Sequence, residues 1–80
     1  MTRSEAYERL TKIFRKVFDD DELMIEDATS AKDIEDWDSF EQINLLCAVE
    51  EEFSFEIPIN IVTTIQNVGE MVDIILALGK

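Results

Sequence analysis

Residues 36–40 read Asp-Trp-Asp-Ser-Phe and introduce the clearest helical pattern in the sequence, which continues to Phe53. Asp38 is a residue type that favours the N-cap position, and Glu41 follows three residues later, as in a capping box. The apolar residues behind this start recur at helical spacing, and the side chains expected to face inward are Ile43, Leu45, Leu46, Phe53 and either Val49 or Glu50. The pattern predicts a helix over residues 39–53, with the hydroxyl of Ser39 fixed in direction at its N-terminus.

Two further long helices are predicted, one at each end of the chain. The first spans Ser4 to Phe18, and its apolar residues at helical spacing are Ala6, Leu10, Ile13, Phe14 and Val17. The last spans Val68 to Leu78, after an Asn67 N-cap and before Gly79, which closes it. Its inward residues are expected to be Met71, Val72, Ile75 and Leu78.

The segments between these helices are predicted to be a long loop and a short helix. Residues 23–37 form the loop, which we expect Leu23, Ile25 and Ile34 to hold against the core. Residues 54–58 (Ser-Phe-Glu-Ile-Pro) are expected to break the helical pattern after Phe53, since proline disfavours helical geometry in the residue before it. Residues 59–64 are rich in β-branched side chains, but no other segment offers a strand partner, so a short helix is preferred. The expected fold class is therefore all-α: a small four-helix bundle of three principal helices and one short helix, forming a single domain over residues 1–80.

The composition narrows the classes of partner. Seven basic and 19 acidic residues give a net charge of −12, which repels nucleic acid and anionic lipid and favours basic protein surfaces. Like charge also opposes self-association, so we expect a monomer.

The single cysteine excludes an internal disulfide and fits a reducing compartment, and nothing in the sequence resembles a zinc or calcium site. The N-terminus lacks a signal-peptide pattern, and no segment approaches the ~20 apolar residues of a membrane span. The expectation is a cytoplasmic protein with no nucleic-acid partner and no membrane span.

Ser39 is the residue on which function is expected to depend, and serine catalysis is excluded first. A serine nucleophile needs a base such as histidine, and the chain contains neither histidine nor a G-x-S-x-G segment. The protein is therefore not expected to be an enzyme. Ser39 could be an ordinary helix-capping serine, or it could accept a group that another enzyme attaches. A phosphodiester at this place would meet free backbone N–H groups and the positive end of the helix dipole.

The sequence resembles the acyl carrier protein family at several segments in the same order. Asp38-Ser39-Phe40 resembles the Asp-Ser-Leu motif of that family, and residues 50–53 (Glu-Glu-Glu-Phe) and 56–58 (Glu-Ile-Pro) are similar to its following segments. Residues 64–70 resemble the start of its last helix. The tripeptide alone is weakly specific, but the segments together are strongly specific, and the resemblance covers the chain from about Tyr7 to Leu78.

This resemblance implies a covalent cofactor and a carrier function. A phosphopantetheinyl transferase would attach 4'-phosphopantetheine from coenzyme A to Ser39, with Asp38 helping to position the magnesium ion and the serine. The thiol of the arm would hold acyl intermediates as thioesters between biosynthetic enzymes of a fatty acid, polyketide or related pathway. Trp37 and Phe40 depart from the family's usual motif and indicate a specialised or stand-alone member. A peptidyl or aminoacyl carrier is the nearer alternative, and an unmodified acidic helical protein-interaction module is the more distant one.

Two further sites are hypotheses on the same basis. Four acidic residues form a predicted docking face for basic patches on acyl-loading and acyl-using enzymes: Asp38, Glu41, Glu50 and Glu51. The alternative for these residues is a solvated surface. An acyl pocket is predicted between the second and the short helix, lined by Leu45, Leu46, Ile57, Val62 and Ile65. The alternative for this second set is plain core packing.

Overall fold

The computed structural model describes residues 1–62 and 64–79. They form four helices, which we label α1 (Arg3–Val17), α2 (Ser39–Phe53), α3 (Ile59–Val62) and α4 (Val68–Leu78). These residues contain no β-strand, so the all-α four-helix prediction is confirmed. The short helix was expected to continue to Thr64, which instead lies in a turn, and Thr63 lies outside the described residues.

Each long helix begins with a side chain that accepts a hydrogen bond from a first-turn N–H group. Thr2 Oγ1 accepts from the Glu5 N–H at 3.1 Å, Asp38 Oδ1 from the Glu41 N–H at 2.9 Å, and Asn67 Oδ1 from the N–H three residues later at 2.8 Å. These caps satisfy donors that have no acceptor within the helix. They explain why the starts of α2 and α4 agree with the sequence prediction and why α1 begins one residue earlier than expected.

The hydrophobic core lies between α1, α2 and α4. Its largest fully buried side chains are Phe14, Leu10, Leu45, Leu46, Met71, Ile75, Val49, Val68 and Val72. Ile34 is buried with them, and Leu23 and Ile25 pack partly buried against them, as the sequence predicted. The long loop is further joined to the start of α4, because the Val68 N–H donates to Thr29 O at 2.8 Å and the Gly69 N–H donates to Asp27 O at 3.0 Å.

Two apolar residues do not face inward as expected. Ile43 is 57% exposed, because the buried side of α2 centres on Leu45, Leu46, Val49 and Phe53, and Ile43 falls outside that arc at 3.6 residues per turn. Leu78 is 42% exposed, because the core ends at Ile75 and the last turn of α4 extends beyond it. Val17 is half-buried at the end of α1.

None of the helices in the described part of the chain combines the length and apolar character that crossing a membrane requires.

Candidate functional site

Ser39 is the first residue of α2, and its side chain is exposed. The N-cap of this helix is Asp38, whose carboxylate accepts from the Glu41 N–H and whose carbonyl accepts from the Gln42 N–H at 2.9 Å. Only half of the expected capping box forms, since Glu41 Oε1 accepts from Asn44 Nδ2 at 3.2 Å instead of returning to the cap. Capping is therefore complete without the Ser39 hydroxyl, which leaves that hydroxyl available at the surface.

The surroundings of the Ser39 hydroxyl suit an attached phosphate. The N–H groups of Ser39 and Phe40 belong to the first turn of α2, where no intrahelical acceptor exists. Together with the positive end of the helix dipole, they favour negative charge at this point. An exposed side chain also leaves room for an enzyme to reach it. A phosphodiester-linked group thus fits the residues present.

Trp37 holds the backbone before Ser39 against the core. Its side chain is only 6% exposed, and its ring meets the ring of Phe14 edge-on, with centroids 5.4 Å apart and an interplanar angle of 82°. Its indole Nε1–H donates to Gln42 Oε1 at 2.6 Å. The two residues before Ser39 are therefore fixed: Trp37 is packed against the core, and Asp38 is bonded to α2 as its cap.

A groove of about 530 Å³ opens beside Ser39. It runs between the start of α2 and the segment around α3, and it is lined by Ala31, Trp37, Asp38, Ser39, Gln42, Ile43, Val62, Ile65 and Gln66. Two of the residues expected in an acyl pocket, Val62 and Ile65, belong to this lining. The other three are buried in the core and do not line the groove: Leu45, Leu46 and Ile57.

The acidic residues expected to form one docking face lie on different sides of α2. Asp38 and Glu51 are exposed and Glu41 is half-buried. Glu50 is also half-buried, and its carboxylate accepts from the Ile57 N–H at 2.7 Å, so it holds the segment before α3. Glu41 and Glu50 are nine residues apart, which places them on opposite sides of the helix.

The outermost side of α2 is of mixed character. Phe40 is 71% exposed, and Asn44, Cys47 and Glu51 follow it, also exposed, at steps of three or four residues. An exposed aromatic ring next to Ser39 is an apolar surface that a partner could cover. The predicted docking face includes Glu51 of this surface but not Phe40, so the apolar part of the surface was not predicted.

A second, larger groove of about 910 Å³ lies between α1 and α2. Lys12 and Lys16 line its α1 side, and Glu41 and Glu51 line its α2 side. The ion pair between Arg9 Nη2 and Glu52 Oε2, 2.7 Å apart, also belongs to this groove. This groove brings together residues from two helices, and for that reason the pattern of each helix alone did not predict it.

The polar lining of the groove beside Ser39 was also not predicted from the sequence. Gln42 stands three residues after Ser39, a spacing that places two side chains next to each other on a helix, and this signal could have identified it. Ile43 follows Ser39 at the equally local spacing of four residues, whereas Gln66 and Ala31 come from parts of the chain whose proximity to Ser39 depends on the tertiary fold. Within residues 1–62 and 64–79, no group of three His, Cys, Asp or Glu side chains is arranged to hold a metal ion.

Comparisons with known proteins agree with this geometry. A family model described as a phosphopantetheine attachment site matches residues 8–75. Among solved structures, the chain is similar to the holo acyl carrier protein of Geobacter metallireducens, determined by NMR in solution, with a TM-score of 0.83 and 35% sequence identity. That match covers 90% of this chain and 83% of the other.

Proposed function

The chain belongs to the acyl carrier protein family, whose members carry a covalently attached 4'-phosphopantetheine, and on this premise we propose that Ser39 is the attachment residue. The observation that carries the proposal is the division of roles at the start of α2. Asp38 caps the helix, while Ser39 is exposed and free of that role. The chain has three other serines, Ser4, Ser30 and Ser54, and none of them follows an Asp in a segment that resembles the family motif.

When bound, the cofactor supplies a thiol that holds an acyl group as a thioester. The protein's own residues bind and orient the arm. The Ser39 hydroxyl is the acceptor, the first-turn N–H groups stabilise the phosphodiester, and Asp38 positions Ser39 for the transferase. No histidine is available to activate a serine, which supports a carrier that leaves the chemistry to its partners.

The partners are a phosphopantetheinyl transferase and the enzymes that load and use the acyl group. We place their contacts on α2, with Asp38, Glu41 and Glu51 attracting basic side chains and Phe40 supplying an apolar contact. Glu50 is part of the expected docking face, but its carboxylate is already bonded to the Ile57 N–H. Its contribution to docking is therefore proposed to be smaller than that of Glu41 and Glu51.

Acyl groups of a fatty acid, polyketide or related pathway are the proposed cargo. The groove beside Ser39 supports this, because its apolar side chains Val62 and Ile65 lie next to the attachment residue. Entry deeper into the expected pocket would require Leu45, Leu46 and Ile57 to move, since all three are buried in the core. Trp37 and Phe40 at the motif favour a specialised member of the family.

We further propose that residues 1–80 act as one carrier domain, as a monomer in the cytoplasm. The strong like charge supports the monomeric state, and the single free cysteine is consistent with a reducing compartment.

Loading by a transferase tests the proposed attachment residue. We expect the wild-type protein, incubated with coenzyme A, magnesium and a transferase of broad specificity, to gain the mass of one phosphopantetheinyl group. Ser39→Ala should gain nothing, and Ser4→Ala, which removes an exposed serine from α1, should gain as much as wild type. Equal gains in Ser39→Ala and wild type would refute the attachment at Ser39.

A further inference from the structure

A chain of hydrogen bonds crosses the groove beside Ser39. The Trp37 indole donates to Gln42 Oε1 at 2.6 Å, and Gln42 Nε2 donates to the backbone carbonyl of Val62 at 3.4 Å. The orientation of the amide follows from chemistry, because an indole N–H can only donate and a carbonyl oxygen can only accept. All three residues line the groove. Gln42 therefore joins the Trp37 wall to the α3 wall.

The two walls are held with unequal strength. The bond from Trp37 is short, and Trp37 itself is buried against Phe14. The bond to Val62 is near the upper limit for an N–H···O contact. α3 has only four residues, and so short a helix depends on its neighbours for stability. The groove is therefore expected to widen on the α3 side, while Gln42 stays with Trp37.

Widening leaves the amide NH₂ of Gln42 without the Val62 acceptor. This side chain is half-buried, and it lies among the apolar side chains of Ile43, Val62 and Ile65. A donor left unpaired in such surroundings is unfavourable, and an acceptor on the bound chain removes that penalty. A hydrocarbon chain offers no acceptor, whereas a carbonyl oxygen does.

We propose that Gln42, oriented by Trp37, is a specificity-determining residue of this groove. Its amide donates to a carbonyl oxygen of the chain borne by Ser39, so the groove retains oxygen-bearing chains in preference to plain hydrocarbon chains of equal length. This inference rests on the proposed attachment at Ser39. The carbonyl belongs to an acyl group with an additional oxygen, such as a 3-oxoacyl group, because the amides of the arm are common to both kinds of chain and cannot produce the preference.

The experiment compares the holo protein with two acylated forms, one bearing a saturated four-carbon acyl group and one bearing its 3-oxo counterpart. Intact mass first verifies loading. The NMR signals of the Gln42 side-chain amide and the Trp37 indole N–H then report contact, and the rate of thioester hydrolysis reports retention in the groove. We expect the 3-oxo group to be protected about fivefold more than the saturated group, relative to the same two thioesters on free pantetheine, as one neutral hydrogen bond allows.

Three variants separate recognition from structure. Gln42→Met removes the donor and should abolish the difference in protection. Gln42→Glu keeps an acceptor for the Trp37 indole and also lacks the donor, so it should abolish the difference while the Trp37 indole signal stays near its wild-type position. Gln66→Met changes the other glutamine of the groove, which is exposed, and should leave the difference intact.

The outcomes distinguish the possible sources of the carbonyl. A shift of the Gln42 amide that appears only with the 3-oxo group assigns the acceptor to the cargo and supports the inference, whereas a shift already complete in the holo form assigns it to the arm and overturns the proposed preference. Loaded protein with no Gln42 shift in any form, or with equal discrimination in wild type and both Gln42 variants, overturns the inference alone. Absence of mass gain overturns it together with the attachment at Ser39.

Discussion

At the scale of single residues, Asp38 and Ser39 are adjacent but do different things. Asp38 is extended, at φ −112° and ψ −173°, and its side chain closes the first turn of α2. Ser39 is already helical and exposed. Because the cap is a local contact over three residues, the sequence was sufficient to predict it. The Trp37–Gln42 hydrogen bond is nearly as local, yet it involves a buried Trp37, whose ring packs against Phe14 and Phe18 near the end of α1, and this packing is not a local feature of the sequence.

Removal of the Asp38 cap should weaken the fold and displace Ser39. We expect Asp38→Ala to lower the free energy of unfolding by about 1 kcal/mol, because the Glu41 N–H loses its acceptor. Asp38→Asn keeps a capping oxygen. Its free energy of unfolding should therefore lie within a few tenths of a kcal/mol of the wild-type value. Chemical denaturation measures both values.

The same two variants distinguish the capping role of Asp38 from a role of its carboxylate in loading by the transferase. If the Asp38 carboxylate helps the transferase, Asp38→Asn should be loaded more slowly than wild type despite its intact stability. A rate equal to that of wild type would leave Asp38 with the capping role alone.

At the scale of elements, α2 has three distinct sides. One is buried through Leu45, Leu46, Val49 and Phe53, one borders the groove at Gln42, and the outer side is mixed. The periodicity of the sequence predicted the bounds of α2 and most of its buried side. It misplaced Ile43, because a spacing pattern does not show how wide an arc the neighbouring helices cover.

The acidic residues of α2 should contribute unequally to partner binding. We expect Glu41→Lys and Glu51→Lys to weaken binding to the transferase, with a loss that shrinks as salt is added, since the interaction is electrostatic. Glu8→Lys changes an exposed acid on α1 by the same charge and serves as the matched control. Binding measured by calorimetry at low and high ionic strength provides the comparison.

An equal loss of affinity for the transferase in Glu8→Lys and Glu51→Lys would show that binding depends only on net charge. That result would contradict a docking surface on α2. Glu50→Lys should behave differently from both, with reduced stability, because its carboxylate accepts the Ile57 N–H.

At the scale of the whole molecule, a single arginine joins three parts of the chain. Arg3, in α1, forms ion pairs of 2.8 Å with Asp27 in the long loop and with Asp73 in α4. Asp27 also accepts from the Tyr7 hydroxyl, and its backbone oxygen accepts the Gly69 N–H. A Cβ at residue 69 would approach that oxygen to 3.1 Å, so glycine allows the close contact. Such long-range pairings could not be predicted from sequence, because nothing local relates residues 3, 27 and 73.

The Arg3 ion pairs should stabilise the fold in a salt-dependent manner. Two hydrogen bonds raise the pKa of Arg3 above its usual value. The bond to Asp73 has the larger effect, and the bond to Asp27 the next largest. A cation with a raised pKa stabilises the fold below its unfolded pKa and loses that effect only as pH rises through the folded pKa, so the contribution should persist through neutral pH. We expect Arg3→Gln to lower Tm slightly at low salt and less at high salt, because the pairs are exposed.

Lys12→Gln removes the same charge from an exposed position of α1 and controls for the change in net charge. Identical Tm changes in Arg3→Gln and Lys12→Gln at low salt would mean that the pairs to Asp27 and Asp73 contribute nothing specific.

The central claim is that Ser39 carries the phosphopantetheine arm, and fragment mass spectrometry of the loaded wild-type protein tests it most directly. The account predicts that every fragment bearing the added group contains Ser39, and that the smallest such fragments narrow the site to that residue. A group located on Ser4, Ser30, Ser54 or any other residue would contradict it.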